Sequence, residues 1–217
     1  MESFNDRLRR YTTGDDLEIF GWMTIMMQNY FLSELRAARA SKLYVCVFLC
    51  THAIIQTIAE NMFGKKGKDG TRFYLESFVD GSDHDTRFSS VSDDIHEMRN
   101  TFAHQGYSGV QHRVELNDEM AEGWKTDSGN VFINPAVYAD HFEEAFRRGA
   151  HVELYRRSFS DKERTIRKYK FIRNWLGLDR ANPIAREIKR LEACTTTDDY
   201  RVQEAVIQGM IFRDYAL

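Results

Sequence analysis

The residues of this chain best suited to chemistry fall in one short run, His96-Glu-Met-Arg99-Asn100-Thr-Phe-Ala-His104-Gln-Gly-Tyr107. A helix turns about 100° per residue, so His96, Asn100 and His104, at four-residue steps, share one face. Ile95, Met98 and Phe102 form an apolar stripe on the opposite side. Arg99 stands between the two faces, where its stem can lie on the core while the guanidinium reaches the polar side. These groups suit phosphodiester cleavage. An imidazole titrating near neutrality takes a proton from a ribose 2′-hydroxyl or gives one to the leaving oxygen. A guanidinium fork matches phosphoryl oxygens and stabilises the charge that develops on them. Asn100 can orient the ring or contact phosphate, and the chemistry requires neither a metal nor a cofactor. Cyclising cleavage needs both a base and an acid, and the motif supplies one central histidine, His104. His96 lies two turns away and is the weaker choice for the second proton transfer, so its expected role is supporting. A symmetric dimer would bring two copies of His104 and Arg99 to one cleft.

The elements that must position this run read as a mainly α chain. Ser90-Val-Ser-Asp-Asp is a cap followed by first-turn acids, which predicts a helix from about Ser92 to Gln105, stopped at Gly106. Before it, the pattern predicts a long amphipathic helix from Asp15 to about Ala40. A central helix from Lys42 to Phe63 follows, with Ser41 as its cap, and then a short one over Arg72 to Val79. After it, Val110–Leu116 and Val131–Ile133 alternate as strands of a hairpin at about 110–134. Asn134-Pro135 starts a helix running to about Arg157. Ser160-Asp-Lys-Glu163 is a capping box, Asn182-Pro183 repeats the Asn-Pro start, and Thr197-Asp-Asp opens the last helix.

The string Met98-Arg-Asn-Thr-Phe-Ala-His-Gln-Gly resembles the signature of the HEPN superfamily (higher eukaryotes and prokaryotes nucleotide-binding domain). The resemblance implies an antiparallel helical bundle, which the chain's own pattern places over residues 1–158 with the hairpin included; the hairpin and the basic helical extension over 159–217 lie outside the family's common core and look like a lineage-specific addition. It further implies a metal-independent endoribonuclease acting on RNA as a homodimer, in a toxin–antitoxin, phage-defence or RNA-processing setting. Arg99 and His104 would be catalytic and Asn100 supporting. The alternative is a bundle that has lost its chemistry and binds RNA, a nucleotide or a protein. A protein antitoxin or a nucleotidyltransferase is a further expected partner. In the paired nucleotidyltransferase systems a modified tyrosine stands two residues after the histidine. Gly106 occupies that place here, and Tyr107, one later, is the regulatory candidate.

Composition frames these expectations. The 217 residues carry a net charge of −3, and 42% are hydrophobic, enough for a packed core and too many for a disordered chain. Between Arg147 and Arg190 there are 14 Lys/Arg against 5 Asp/Glu, which leaves 16 against 28 in the remainder. Within the basic block, Arg164, Arg167, Lys168, Lys170 and Arg173 alternate with aromatics, a mixture that suits RNA as well as an amphipathic helix. The apolar run Leu43–Cys50 is too short to span a bilayer, and an acidic, polar start with three irregularly spaced cysteines fits the cytoplasm and no membrane. Cys46 and Cys50 read as core packing, and His52 as an interior or interface group. Asp83-His84-Asp85 reads as a solvated loop, while His112, His141 and His151 have no partner pattern. Gly64–Gly70 lacks the ending of a phosphate loop, and its three lysines leave open an RNA contact.

Overall fold

The computed structural model describes residues 2–80, 86–105 and 114–215, with the side chains of 104, 105 and 114 outside that description. The chain is mainly helical, with one small sheet. It forms two compact units, one made of residues 1–24 and 157–217 and the other of residues 25–156. The expected division at 158/159 placed the N-terminus in the bundle. Instead the first 24 residues group with the C-terminal helices.

That grouping follows from a helix the hydrophobic pattern did not announce, α1 (Phe4–Thr13), started by Ser3, whose hydroxyl accepts from the Asp6 N–H. In the same unit, Leu8 and Tyr11 of α1 and Ile19 and Phe20 of α2 (Asp16–Met26) are buried. So are Tyr169 and Ile172 of α9 (Asp161–Trp175), Ile184 and Ile188 of α10 (Pro183–Ala193), and Ile207 and Ile211 of α11 (Thr197–Tyr215). The Ser160–Glu163 capping box and the Asn182 cap with Pro183 form as expected.

In the unit of residues 25–156 the expected long helix is interrupted by a π turn, Met27–Phe31, before α3 (Leu32–Ala40). Ser41 ends α3 and does not cap the next helix; Lys42, at φ 55°, makes the turn and α4 runs over Tyr44–Phe63. Half of α4 is buried, including Phe48, Ile54, Ile55 and Ile58. It is also long and apolar enough to cross a membrane, a test that a buried core helix passes equally well. The glycine-rich break is shorter than expected, since α5 begins at Gly67 and runs to Tyr74, followed by a π turn over Leu75–Val79. A 3-10 turn, Phe88–Val91, leads into α6 (Ser92–Gln105), which has the expected bounds.

The hairpin prediction needs correcting. β2 (Trp124–Asp127) and β3 (Asn130–Ile133) form the antiparallel pair around Ser128–Gly129, both at positive φ, as a tight hairpin turn requires. β1 (Val114–Leu116) lies parallel to β3 on its other side, and residues 110–113 of the expected strand lie outside the described residues. The helix after Asn134 is also two: α7 (Pro135–Arg147) and α8 (Ala150–Ser158), separated where Gly149 adopts φ +64°.

Candidate active site on helix α6

Helix α6 is held at both faces. Ile95 and Met98 are 0% and 1% exposed, and Phe102 meets Phe48 of α4 edge-on at 6.3 Å between ring centres. At its start, Arg72 of α5 donates to Asp93 at 3.0 Å and to the Ser92 hydroxyl at 3.4 Å. The polar face is thereby fixed. Arg99 and Asn100 are half-buried, and Arg99 Nη1 donates to Asn100 Oδ1 at 2.9 Å. The pair orients both side chains and, among the described residues, leaves the Asn100 NH2 group and further guanidinium N–H groups as donors for a phosphoryl group. His104 belongs to α6, one turn after Asn100. Its side chain lies outside the described residues, as do Tyr107, His84 and His112.

The structure brings to this helix a group that the spacing did not join to it. His52 of α4 is 0% exposed, neither ring nitrogen has a hydrogen-bond partner among the described residues, and its ring centre lies 5.5 Å from that of His96. Burial, then the charges of His96 and Arg99, push the His52 imidazole down to about 3, so it is neutral near pH 7. His96 is half-buried and is also shifted down, by burial first and then by Arg99 and Lys68, against the opposing charges of Asp93 and Glu97. Its Nδ1 lies 3.3 Å from the Thr71 hydroxyl. Gln56, one turn after His52 on α4, donates to the Gly67 carbonyl at 3.0 Å and to Thr71 Oγ1 at 2.6 Å. The sequence offered one signal for this cluster, the four-residue step from His52 to Gln56. Its partners on α5 and α6 are visible only in three dimensions.

The five basic residues proposed for RNA contact differ in their placement. Lys168 is a correction. It is 3% exposed, donates to the carbonyls of Thr12 and Gly14 at 3.2 and 3.1 Å, and pairs with Glu204 at 3.6 Å. It is a structural lysine, because the Tyr169 register that fills the core carries Lys168 inward with it. Arg164 pairs with Asp161 at 2.7 Å and with Asp16 at 3.8 Å, and Lys170 pairs with Glu192. Arg167 lies over the Phe159 ring at 3.9 Å, and Arg173 donates to Asn174 at 2.9 Å.

Elsewhere, Cys46 is exposed and Cys50 half-buried, so the core reading of that pair is replaced by a surface one. Between α3 and α7 a cleft of about 510 Å³ is lined by Arg36, Arg39, Arg147, Arg148 and the carboxylates of Asp140, Glu143 and Glu144. Arg36 and Arg147 both bond to Glu143, and Arg39 to Asp140. Burial alone would raise the Glu143 carboxyl, but the two guanidinium groups hold it below its ordinary range. The cleft is an ion-pair network of four guanidinium groups against three carboxylates. Among the described residues no group of three or more His, Cys, Asp or Glu side chains could hold a metal ion. Compared with known proteins, the chain matches no family model, no curated protein sequence and no solved structure.

Proposed function

We propose that this chain is an endoribonuclease of the HEPN type, with Arg99, Asn100 and His104 of α6 as its working residues and a homodimer as its active form. The observation that carries the reading is the Arg99–Asn100 pair, half-buried and mutually oriented on one helix, one turn before His104. Buried Ile95 and Met98 hold that helix in place, so the guanidinium is presented by a rigid element. In the reaction, a base removes the ribose 2′-hydroxyl proton, the 2′-oxygen attacks phosphorus, and the P–O5′ bond breaks. The departing 5′-oxygen takes a proton from the acid. The products are a 2′,3′-cyclic phosphate and a 5′-hydroxyl, with no water consumed. Arg99 stabilises the added charge on the non-bridging oxygens, Asn100 steadies the guanidinium, and His104 moves a proton. For the dimer, the exposed Tyr30, Phe31, Leu43 and Val45 supply apolar surface that a second copy could cover.

The test is cleavage of a single-stranded RNA by purified protein in EDTA, with end-group analysis for the cyclic phosphate. Arg99→Ala and His104→Ala should each lower the rate about 100-fold or more while leaving the thermal midpoint within a few degrees of wild type. RNA bound but left intact by the wild type would favour a binding module instead. Full activity in either variant would remove that residue from the site.

A further inference from the structure

We propose that His96 is a second proton-transfer residue of the α6 site, held as a base with Nε2 unprotonated by the Gln56–Thr71 hydrogen-bond pair. The inference rests on the ribonuclease reading and supplies the second group that a cyclising cleavage requires.

The argument is a count of protons. The Gly67 carbonyl can only accept, so the Gln56 atom 3.0 Å away is its amide nitrogen, and that same NH2 group gives its other proton to Thr71 Oγ1. The Thr71 hydroxyl has one proton and two available acceptors, the Gly67 carbonyl and His96 Nδ1, each at 3.3 Å. If it donates to His96, its contact with the Gly67 carbonyl is no longer a bond. If it donates to Gly67, then His96 Nδ1–H donates to Thr71 and every contact in the cluster is a hydrogen bond. The second arrangement makes one bond more. It fixes the ring as the Nδ1–H tautomer and leaves the Nε2 lone pair free.

The surroundings agree with a base. The Nε2–Cε1 edge of the ring borders Gly67, where a Cβ would stand 3.9 Å from Nε2, and the φ of +54° favours glycine there. Among the described residues, His52 from α4, Lys68 from α5, and Asp93, Glu97 and Arg99 from α6 are the titratable and charged groups around the ring. The neutral His52 behind it adds no charge, and the balance of burial, Arg99 and Lys68 against the two acids keeps His96 unprotonated at neutral pH. Arg99 and Asn100 follow His96 by three and four residues, on the same stretch of helix surface. His104 is eight residues on, about 12 Å along the axis, too far to share one phosphate with His96 in the same protomer. Asn100 is the midpoint between them. An antiparallel crossing of two α6 helices centred there sets His96 opposite the partner's His104.

Two measurements decide it. Long-range proton–nitrogen spectra of the imidazoles should show His96 as the Nδ1–H tautomer in wild type and in Thr71→Ser, and a shifted mixture in Thr71→Val. An Nε2–H ring in wild type overturns the proposal whatever the protein cleaves. In RNA cleavage, His96→Asn should lower the rate about 100-fold or more and remove the acidic limb of the pH profile. Thr71→Val should move that limb and Thr71→Ser should restore it. Undiminished cleavage by His96→Asn overturns the role. A wild type that shows the Nδ1–H ring but cleaves no RNA sinks the ribonuclease reading, and with it the catalytic role, while the positioning by Gln56 and Thr71 stands.

Discussion

Two buried residues show what burial demands of a polar side chain, and both can be tested in denaturant melts. His151 is 1% exposed, stacked on Phe146 at 5.4 Å and edge-on to Phe78 at 6.3 Å, and neither nitrogen has a partner among the described residues. Burial pushes its imidazole down to about 4, whereas an unfolded histidine titrates near 6.5. The unfolded chain therefore binds the extra proton. The stability of the neutral ring is intact above about pH 6.5 and is lost as the pH falls toward 4, at about 1.4 kcal/mol per unit. His151→Phe keeps a ring between the two phenylalanines and removes the titration. Denaturant melts across that window should then show a pH slope smaller by about one proton; an unchanged slope would mean His151 is solvated or paired. Lys168 is the opposite case, a buried charge with three oxygen partners. Lys168→Met strips those partners of their donor and should cost about 3 kcal/mol in a denaturant melt. RNA affinity at a temperature where the variant is folded should not change, and a selective loss of binding would restore Lys168 to the RNA surface.

Most elements whose ends are marked by side-chain chemistry were legible, with the Ser3 cap of α1 missed and Ser41 misplaced, and those set by packing were not. Acids in the first turn placed α6, the Ser160–Glu163 box placed α9, and the Asn-Pro pairs placed α7 and α10 at their observed starts. The two π turns carry no such mark. Nor does the break at Gly149, because an isolated glycine inside a helical pattern is usually tolerated. β1 was read as the antiparallel partner of β3 because alternation gives a strand's faces but not its direction. The site divides in the same way. Arg99, Asn100 and His96 share one helix and could be read from spacing, whereas His52 and Thr71 come from two others. What brings α5 against α4 is Gly70, where a Cβ would stand 2.6 Å from the Lys65 carbonyl and 3.4 Å from the Ala59 methyl. Gly70→Ala should therefore displace α5, at a cost of about 1–3 kcal/mol. It should also change the His96 imidazole spectrum, since Thr71 is the next residue. A His96 signal identical to wild type would show that α5 does not set the ring.

For the whole molecule, the division into units revises what the charge pattern meant. The sequence showed a basic block over residues 147–190 with an acidic remainder. Residues 1–24 and 157–217 together carry 16 Lys/Arg and 14 Asp/Glu, while residues 25–156 carry 14 and 19. The surplus of the first unit is thus only +2, because α1, α2 and α11 bring their own acids, and Asp16 and Glu204 pair with Arg164 and Lys168. The charge pattern by itself therefore gives little support to an RNA surface on the basic block, and the proposed ribonuclease rests on α6 and on the dimer proposed to complete it. If His96 of one protomer works with the partner's His104, neither His96→Asn nor His104→Asn alone leaves a complete site. Mixing the two inactive variants with subunit exchange makes about half of the dimers mixed, and each mixed dimer holds one intact site and one doubly damaged one. Activity should return to about a quarter of wild type, and the rise should follow the rate of subunit exchange. Sites contained within single protomers would give no recovery at all, because every protomer in the mixture lacks one of the two histidines.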